Sequence, residues 1–212
     1  MGSFITAYSI EELTIKSTIV IVARAGEKGE IIDVARDVND HSKSDPELFG
    51  IGQIYRFEVI RYLKGGEFTS GVNEIHVVQF EGRFELASQA SPSADEIEKG
   101  RMPESYTPFD SGLEYILFLS PLKDFPNLKN YFTGIAHPWK FLLQGNCVFP
   151  QSPWSGMSYY FHPDLVGNFV TKVENSLSVE LKSITSPAYP PPGDSSSNSE
   201  CQVLPSENAV YP

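Results

Sequence analysis

Between Gln53 and Leu63 the side chains alternate with a period of two: Tyr55, Phe57 and Val59 fall on one side, and Arg56, Glu58 and Ile60 on the other. That period is a strand's and not a helix's. Thr18 to Ala25 is β-branched and apolar, and reads as a well-buried strand. Asn73 to Phe80 follows, with Ile75, Val77 and Gln79 on one face, and Leu113 to Ser120 is another buried strand with apolar residues on both sides. Tyr131 to Ile135 and Trp139 to Leu143 read as neighbouring strands across Ala136-His137-Pro138. Gln144-Gly145-Asn146 reads as a hairpin turn into Cys147-Val148-Phe149. Chains that repeat this pattern fold as mainly β proteins.

The connections carry turn chemistry. Gly26 and Gly29 predict a turn, Ile31 to Val38 a second and more polar strand, and Asp37 to Gly52 a surface loop. Glu81 to Asp110 is a long polar insertion holding Pro92, Pro103 and Pro108, of a length that usually serves function or stays disordered. Two segments read as helix. Ser9-Ile10-Glu11-Glu12 is a capping box, with Ile10 and Leu13 facing inward. From Pro163 to about residue 182, Val166, Phe169, Val170, Val173 and Leu177 recur at spacings of three and four, with Pro163 suited to a first helical position. The expected organisation is one domain over residues 1–185, ending in the helix 163–182. A Pro- and Ser-rich tail over 186–212 has too few apolar residues to offset the entropy of ordering.

The charge is 16 basic against 27 acidic residues, a net −11. That balance disfavours nucleic acid as a partner, and Arg56, Arg61, Lys64, Arg83, Lys99 and Arg101 are scattered through the sequence. No stretch approaches the roughly 20 apolar residues that span a bilayer, so no transmembrane segment is expected. The first residues lack the basic and apolar regions of a secretory leader, and Met1-Gly2-Ser3 with Thr6 fits the short myristoylation pattern. The compartment stays open: secreted or periplasmic if a leader has been removed, cytoplasmic otherwise.

The order of these segments, with Tyr55-x-Phe57-x-Val59-x-x-x-Leu63-Lys64-Gly65 as its most specific piece, resembles uncharacterised bacterial domains built like the netrin and metalloproteinase-inhibitor modules. The resemblance covers roughly residues 9–150. It implies an antiparallel OB-like barrel with a short N-terminal helix and one C-terminal helix, and an extracellular setting. The inhibitors act through an N-terminal Cys that chelates zinc and through disulfides around it. This chain has neither at that end, so their mechanism does not transfer.

Reactive motifs are sparse. His41, His76, His137 and His162 show no metal-ligand spacing, and no metal or cofactor is expected. There is no G-x-S-x-G and no glycine-rich phosphate loop. Cys147 and His137 could face each other across a hairpin as a nucleophile and base, although a small buried apolar role is the commoner fate of a Cys. Pairing of Cys147 with Cys201 is left undecided by the sequence. Glu81, Glu85, Glu104 and Asp110 could supply an acid–base pair, with a solvated surface as the default. The aromatic group is denser: Trp154, Tyr159, Tyr160 and Trp139 are the candidate partner-binding residues. The expectation is therefore a non-enzymatic β-barrel module that binds a protein or peptide partner. The alternative is a hydrolase-type enzyme using Cys147/His137 or an acidic pair in the insertion 81–110.

Overall fold

The computed structural model describes residues 6–68, 72–86, 91–125, 128, 130–152, 160–178 and 201. The chain runs α1 (Ile10–Lys16), β1 (Ile19–Asp33), β2 (Leu48–Lys64), β3 (Glu74–Glu85), α2 (Ala94–Gly100), β4 (Glu114–Pro121), β5 (Tyr131–Gly134), β6 (Lys140–Gln144), β7 (Cys147–Pro150), β8 (Asp164–Leu165) and α3 (Val166–Ser178). The fold is mainly β, and among the described residues eight strands form one sheet. β1 pairs with β2 and β4, β2 with β3, β3 with β5, and β5 with β4, so these five strands hydrogen-bond in a ring. The ring is uneven, because β5 meets each neighbour over only three residues. β6, β7 and β8 extend the sheet beyond β4. Among the described residues every strand pairing is antiparallel except β3–β5. These two lie side by side in the same direction because β4 intervenes between them in the chain.

The glycines of β1 mark irregularities rather than a turn. The strand runs on through Gly26 and Gly29, and its register with β2 shifts between Ala25 and Lys28 and again between Lys28 and Ile31. Bulges bend a strand without ending it. β3 likewise runs past Phe80 and takes in Glu81 to Glu85, which the sequence reading placed in the insertion. α1 forms where expected but with half of the expected box: Ser9 Oγ accepts from the Glu12 N–H at 3.1 Å, and Ile10 and Leu13 are buried. The Glu12 carboxylate accepts from the Tyr8 N–H at 2.8 Å and also pairs with Lys16. Lys64 at the end of β2 donates to the carbonyls of Thr14 and Ser17, both at 2.7 Å, and so caps the C-terminal end of this helix.

α3 starts three residues later than the proline suggested. Asp164 and Leu165 pair with Val148 and Cys147, and the helix begins at Val166. Its buried face holds Phe169, Val173 and Ser176, whereas Leu177 is exposed. A helix of 3.6 residues per turn carries position 177 off a stripe centred on 169 and 173. Residues 179–200 and 202–212, with the end of the expected helix and most of the expected tail, lie outside the described residues.

Residues paired across a ladder share a face, and here that divides the core in two. Ile19, Ile21 and Ala23 of β1 lie opposite Leu119, Leu117 and Tyr115 of β4. With Phe57, Ile75 and Val77 they belong to the buried cluster, and Tyr115 meets Phe57 and Phe109. Val20 and Val22 lie opposite Phe118 and Ile116 on the other face, where Phe118 and Phe141 meet Phe169 of α3. Strands covered on both faces explain why β1 and β4 are apolar at successive positions.

The insertion is fastened to the sheet. Ser93 caps α2 in a reciprocal box with Glu96. Gly82 bridges to Arg101, and the Met102 N–H donates to the Glu81 carbonyl at 2.8 Å. Gly82 has φ +151°, and a Cβ there would come within 2.2 Å of the Gly100 carbonyl oxygen, so only glycine fits. The Glu81 side chain is 0% exposed. It forms an ion pair with Arg101 and accepts from the Tyr55 hydroxyl at 2.7 Å and from the Gln79 amide at 3.3 Å. Burial pushes the Tyr55 phenol up to about 12. Lys140, 2% exposed, donates to Gln79 Oε1 at 2.6 Å and to the Thr107 carbonyl, with its ammonium 4.0 Å from the centre of the Phe109 ring. Phe109 itself meets Tyr55 and Phe57, both at 4.9 Å, and Trp139 at 5.6 Å.

Two outcomes follow from this arrangement. Arg101→Met leaves a buried carboxylate without its counter-charge and should lower stability in urea unfolding by about 3 kcal/mol. Adding Glu81→Gln should recover part of that loss, because the charge then goes with its partner. Lys140 has its pKa lowered by burial to about 7, against 10.5 for the free amine. Below pH 7 the amine is protonated in both states and the burial cost acts in full. Between the two values the folded amine is neutral while the unfolded one keeps its proton, so this group's contribution grows more favourable as pH rises. The unfolding free energy of wild type relative to Lys140→Met should therefore increase from about pH 7 to about pH 10. A flat difference would mean that the amine titrates normally.

Candidate functional site

A groove of about 740 Å³ lies between the start of α1, residues 160–164 and α3. Its floor is aromatic: Phe141, Phe161 and Phe169 are buried, with Phe141 at 5.8 Å from Phe161 and 4.9 Å from Phe169, ring centre to ring centre. Its lip is formed by Tyr8 and Tyr160, whose rings meet edge to face at 5.0 Å. Tyr8 is 41% exposed and Tyr160 is half-buried. Both line the groove beside the three phenylalanines, and large aromatic side chains of this kind are suited to molecular contact.

The far edge is polar. Asp164 accepts from the Leu165 N–H at 2.8 Å, from Asn168 at 3.3 Å and from Lys172 at 2.7 Å. Burial works against its charge, but the hydrogen bonds from Lys172 and Asn168 outweigh it and hold the carboxyl below its usual range. The hydroxyls at the rim are spent locally: Ser9 caps α1, and Thr171 donates to the Gly167 carbonyl at 2.8 Å. The groove therefore offers contact area and charge at its margin.

Of the four residues expected to bind a partner, Tyr160 stands in this groove. Trp154 and Tyr159 lie outside the described residues. Trp139 is 7% exposed and sits in the core, so it presents almost no outer surface to a protein partner. Its indole lies so close to Gly134 that a Cβ there would fall 2.1 Å from the ring. Tyr8, Phe169 and Lys172 were not foreseen. Tyr8 had a signal: it precedes the cap residue Ser9, where an apolar side chain often folds onto its own helix. Here it reaches Tyr160 instead.

The reactive candidates are dispersed. Cys147 is bonded to Cys201, the pairing that the sequence left open, so its sulfur is not a thiolate and the alternative dyad with His137 does not form. His137 lies in the segment before β6, its carbonyl accepting from the Ala7 N–H at 3.1 Å. Burial, with the Lys140 charge added, pulls its imidazole down to about 4. Of the four acids named for the insertion, Glu81 is sealed against Arg101, whereas Glu85, Glu104 and Asp110 are exposed. Among the basic residues, Arg56 pairs with Glu74, Arg61 with Glu174 and Arg101 with Glu81, and Lys64 caps α1. Among the described residues no group of three or more His, Cys, Asp or Glu could hold a metal ion, and no helix is long and apolar enough to cross a membrane.

The disulfide closes a loop with a sequence separation of 54 residues, and constraining that much unfolded chain is worth about 4 kcal/mol on loop-entropy grounds. A Cys147→Ser/Cys201→Ser variant should unfold at lower denaturant by a corresponding amount, and reduction of the wild type should bring it to the same midpoint. No protein-family model matches the chain, and no curated protein matches it.

Proposed function

We propose that this chain is a non-enzymatic binding module on an OB-like barrel, and that the Tyr8–Tyr160 groove receives a peptide segment of a protein partner. The observation that carries the reading is the edge-to-face tyrosine pair standing partly exposed over the Phe141–Phe161–Phe169 floor. Aromatic anchors inside a polar margin are where binding energy concentrates in protein contacts. The barrel reading is supported by the ring of five pairing strands and by the helices against it, which suit the OB-type plan and the netrin-like resemblance. Fold likeness alone would not argue for binding, so the groove bears that weight.

The partner segment carries an apolar or aromatic anchor and basic flanks. With a net charge of −11 the whole chain attracts cations, and Glu11 stands on the groove's edge. The catalytic alternative loses its nucleophile to the disulfide and its most buried acid to an ion pair.

A displayed library of random peptides, panned on the folded chain, should return a consensus with an aromatic or aliphatic anchor beside Lys or Arg. A synthetic consensus peptide should bind the Tyr8→Ser/Tyr160→Ser variant about tenfold more weakly, the equivalent of about 1.4 kcal/mol, while circular dichroism stays unchanged. Peptides that bind wild type and variant equally, or an acidic consensus, would overturn the assignment.

A further inference from the structure

We propose that a second cavity, beside Lys140, is a binding site for a small carboxylate with an apolar body. It encloses about 260 Å³, and its walls include Lys140, Gln79, His137, Thr133, Ile135 and Trp139. Nothing in this proposal depends on the tyrosine groove, whose walls share none of these residues.

The argument starts from an asymmetry between two buried charges. Glu81 has Arg101 as its counter-ion. Lys140 is equally enclosed, yet its hydrogen-bond partners are the neutral oxygens of Gln79 and Thr107, with an aromatic face as its third neighbour. Among the described residues no carboxylate forms an ion pair with it. A buried ammonium without a counter-charge is costly unless something compensates it or its proton leaves. The cavity at its side is where a compensating anion fits.

The titratable groups around the amine favour the same sign of ligand. Asp110 acts on it through charge alone, from an exposed position. Glu81 reaches it only through Gln79, and Arg101 already pairs with that carboxylate. His137 adds a second group able to become cationic on the cavity wall. Burial holds both bases toward their neutral forms near neutral pH. An arriving carboxylate stabilises their protonated forms, so it binds with proton uptake and more tightly in mild acid.

Shape sets the rest of the ligand. Trp139 and Ile135 give apolar wall, which suits a hydrocarbon body. The volume lies just below the roughly 300 Å³ at which sites for drug-sized ligands begin, so the ligand is small.

The test uses the intact disulfide-bonded chain, with acetate, butyrate and benzoate as probes and benzamide as the neutral isostere of benzoate. Calorimetry should show at least one of the three carboxylates binding, about tenfold more tightly near pH 6 than near pH 9, with net proton uptake when two buffers are compared. Benzamide should bind at least about tenfold more weakly than benzoate. Lys140→Met should abolish binding if it folds. If it does not fold, NMR titration of the wild-type lysine side chains decides, since the Lys140 pKa should rise by about one unit or more when ligand is present. Failure of all three carboxylates to bind at millimolar concentration, equal binding of benzamide, or an unmoved Lys140 titration would each overturn the site.

Discussion

Phe109 comes from outside every strand, yet the interior is organised around it. Ile19, Ile21, Phe57, Ile75 and Val77 of the strands share one buried cluster with it. Phe109 touches Tyr55, Phe57, Tyr115 and Trp139 at once, and the Lys140 ammonium rests against its face. Without this ring, four large aromatic side chains would lose a common neighbour, and dispersion attraction depends on such neighbours being present. The insertion is thus a structural member that happens to be drawn from a loop.

Its position is set by polar contacts more than by apolar ones. Hydrophobic burial tolerates small slides, whereas a carboxylate sealed from water tolerates almost none. Glu81 finds Arg101, Tyr55 and Gln79 in one arrangement of the strap, and any neighbouring register would leave it unpaired. Gly82 adds a steric condition to the electrostatic one, since the strap's backbone passes where a Cβ would stand. Lys140 ties the far end of the same strap through the Thr107 carbonyl. Charge and backbone contact therefore choose among the packings that hydrophobicity alone would allow.

Much of the strand layout was readable in the chain. The alternation from Tyr55 to Val59 and the apolar runs of β1 and β4 become strands at nearly the expected places. The parity that put Ile75, Val77 and Gln79 on one face continues inward to Glu81, which is buried for that reason. It was missed because a charged residue followed by glycine looks like the start of a loop, and the arginine that neutralises it stands 20 positions along (101 − 81 = 20). Gly26 and Gly29 misled in a related way, as glycine serves a bulge and a turn equally well. The groove was half legible. Tyr160 belonged to a visible aromatic cluster, but Tyr8 reaches it from the opposite end of the chain, a contact no local pattern encodes. Trp139 stood out by its chemistry, and its burial depends on Gly134 leaving room for it.

The bond between Cys147 and Cys201 changes what damage to the polypeptide means. It makes the segment between them a covalent ring that starts in β7 and takes in β8 and α3. A protease that cuts once within that ring opens it without releasing either piece, and the two pieces stay joined until a reductant arrives. Backbone integrity and molecular integrity thus become separate properties here, a useful trait wherever peptidases are active and thiols are scarce.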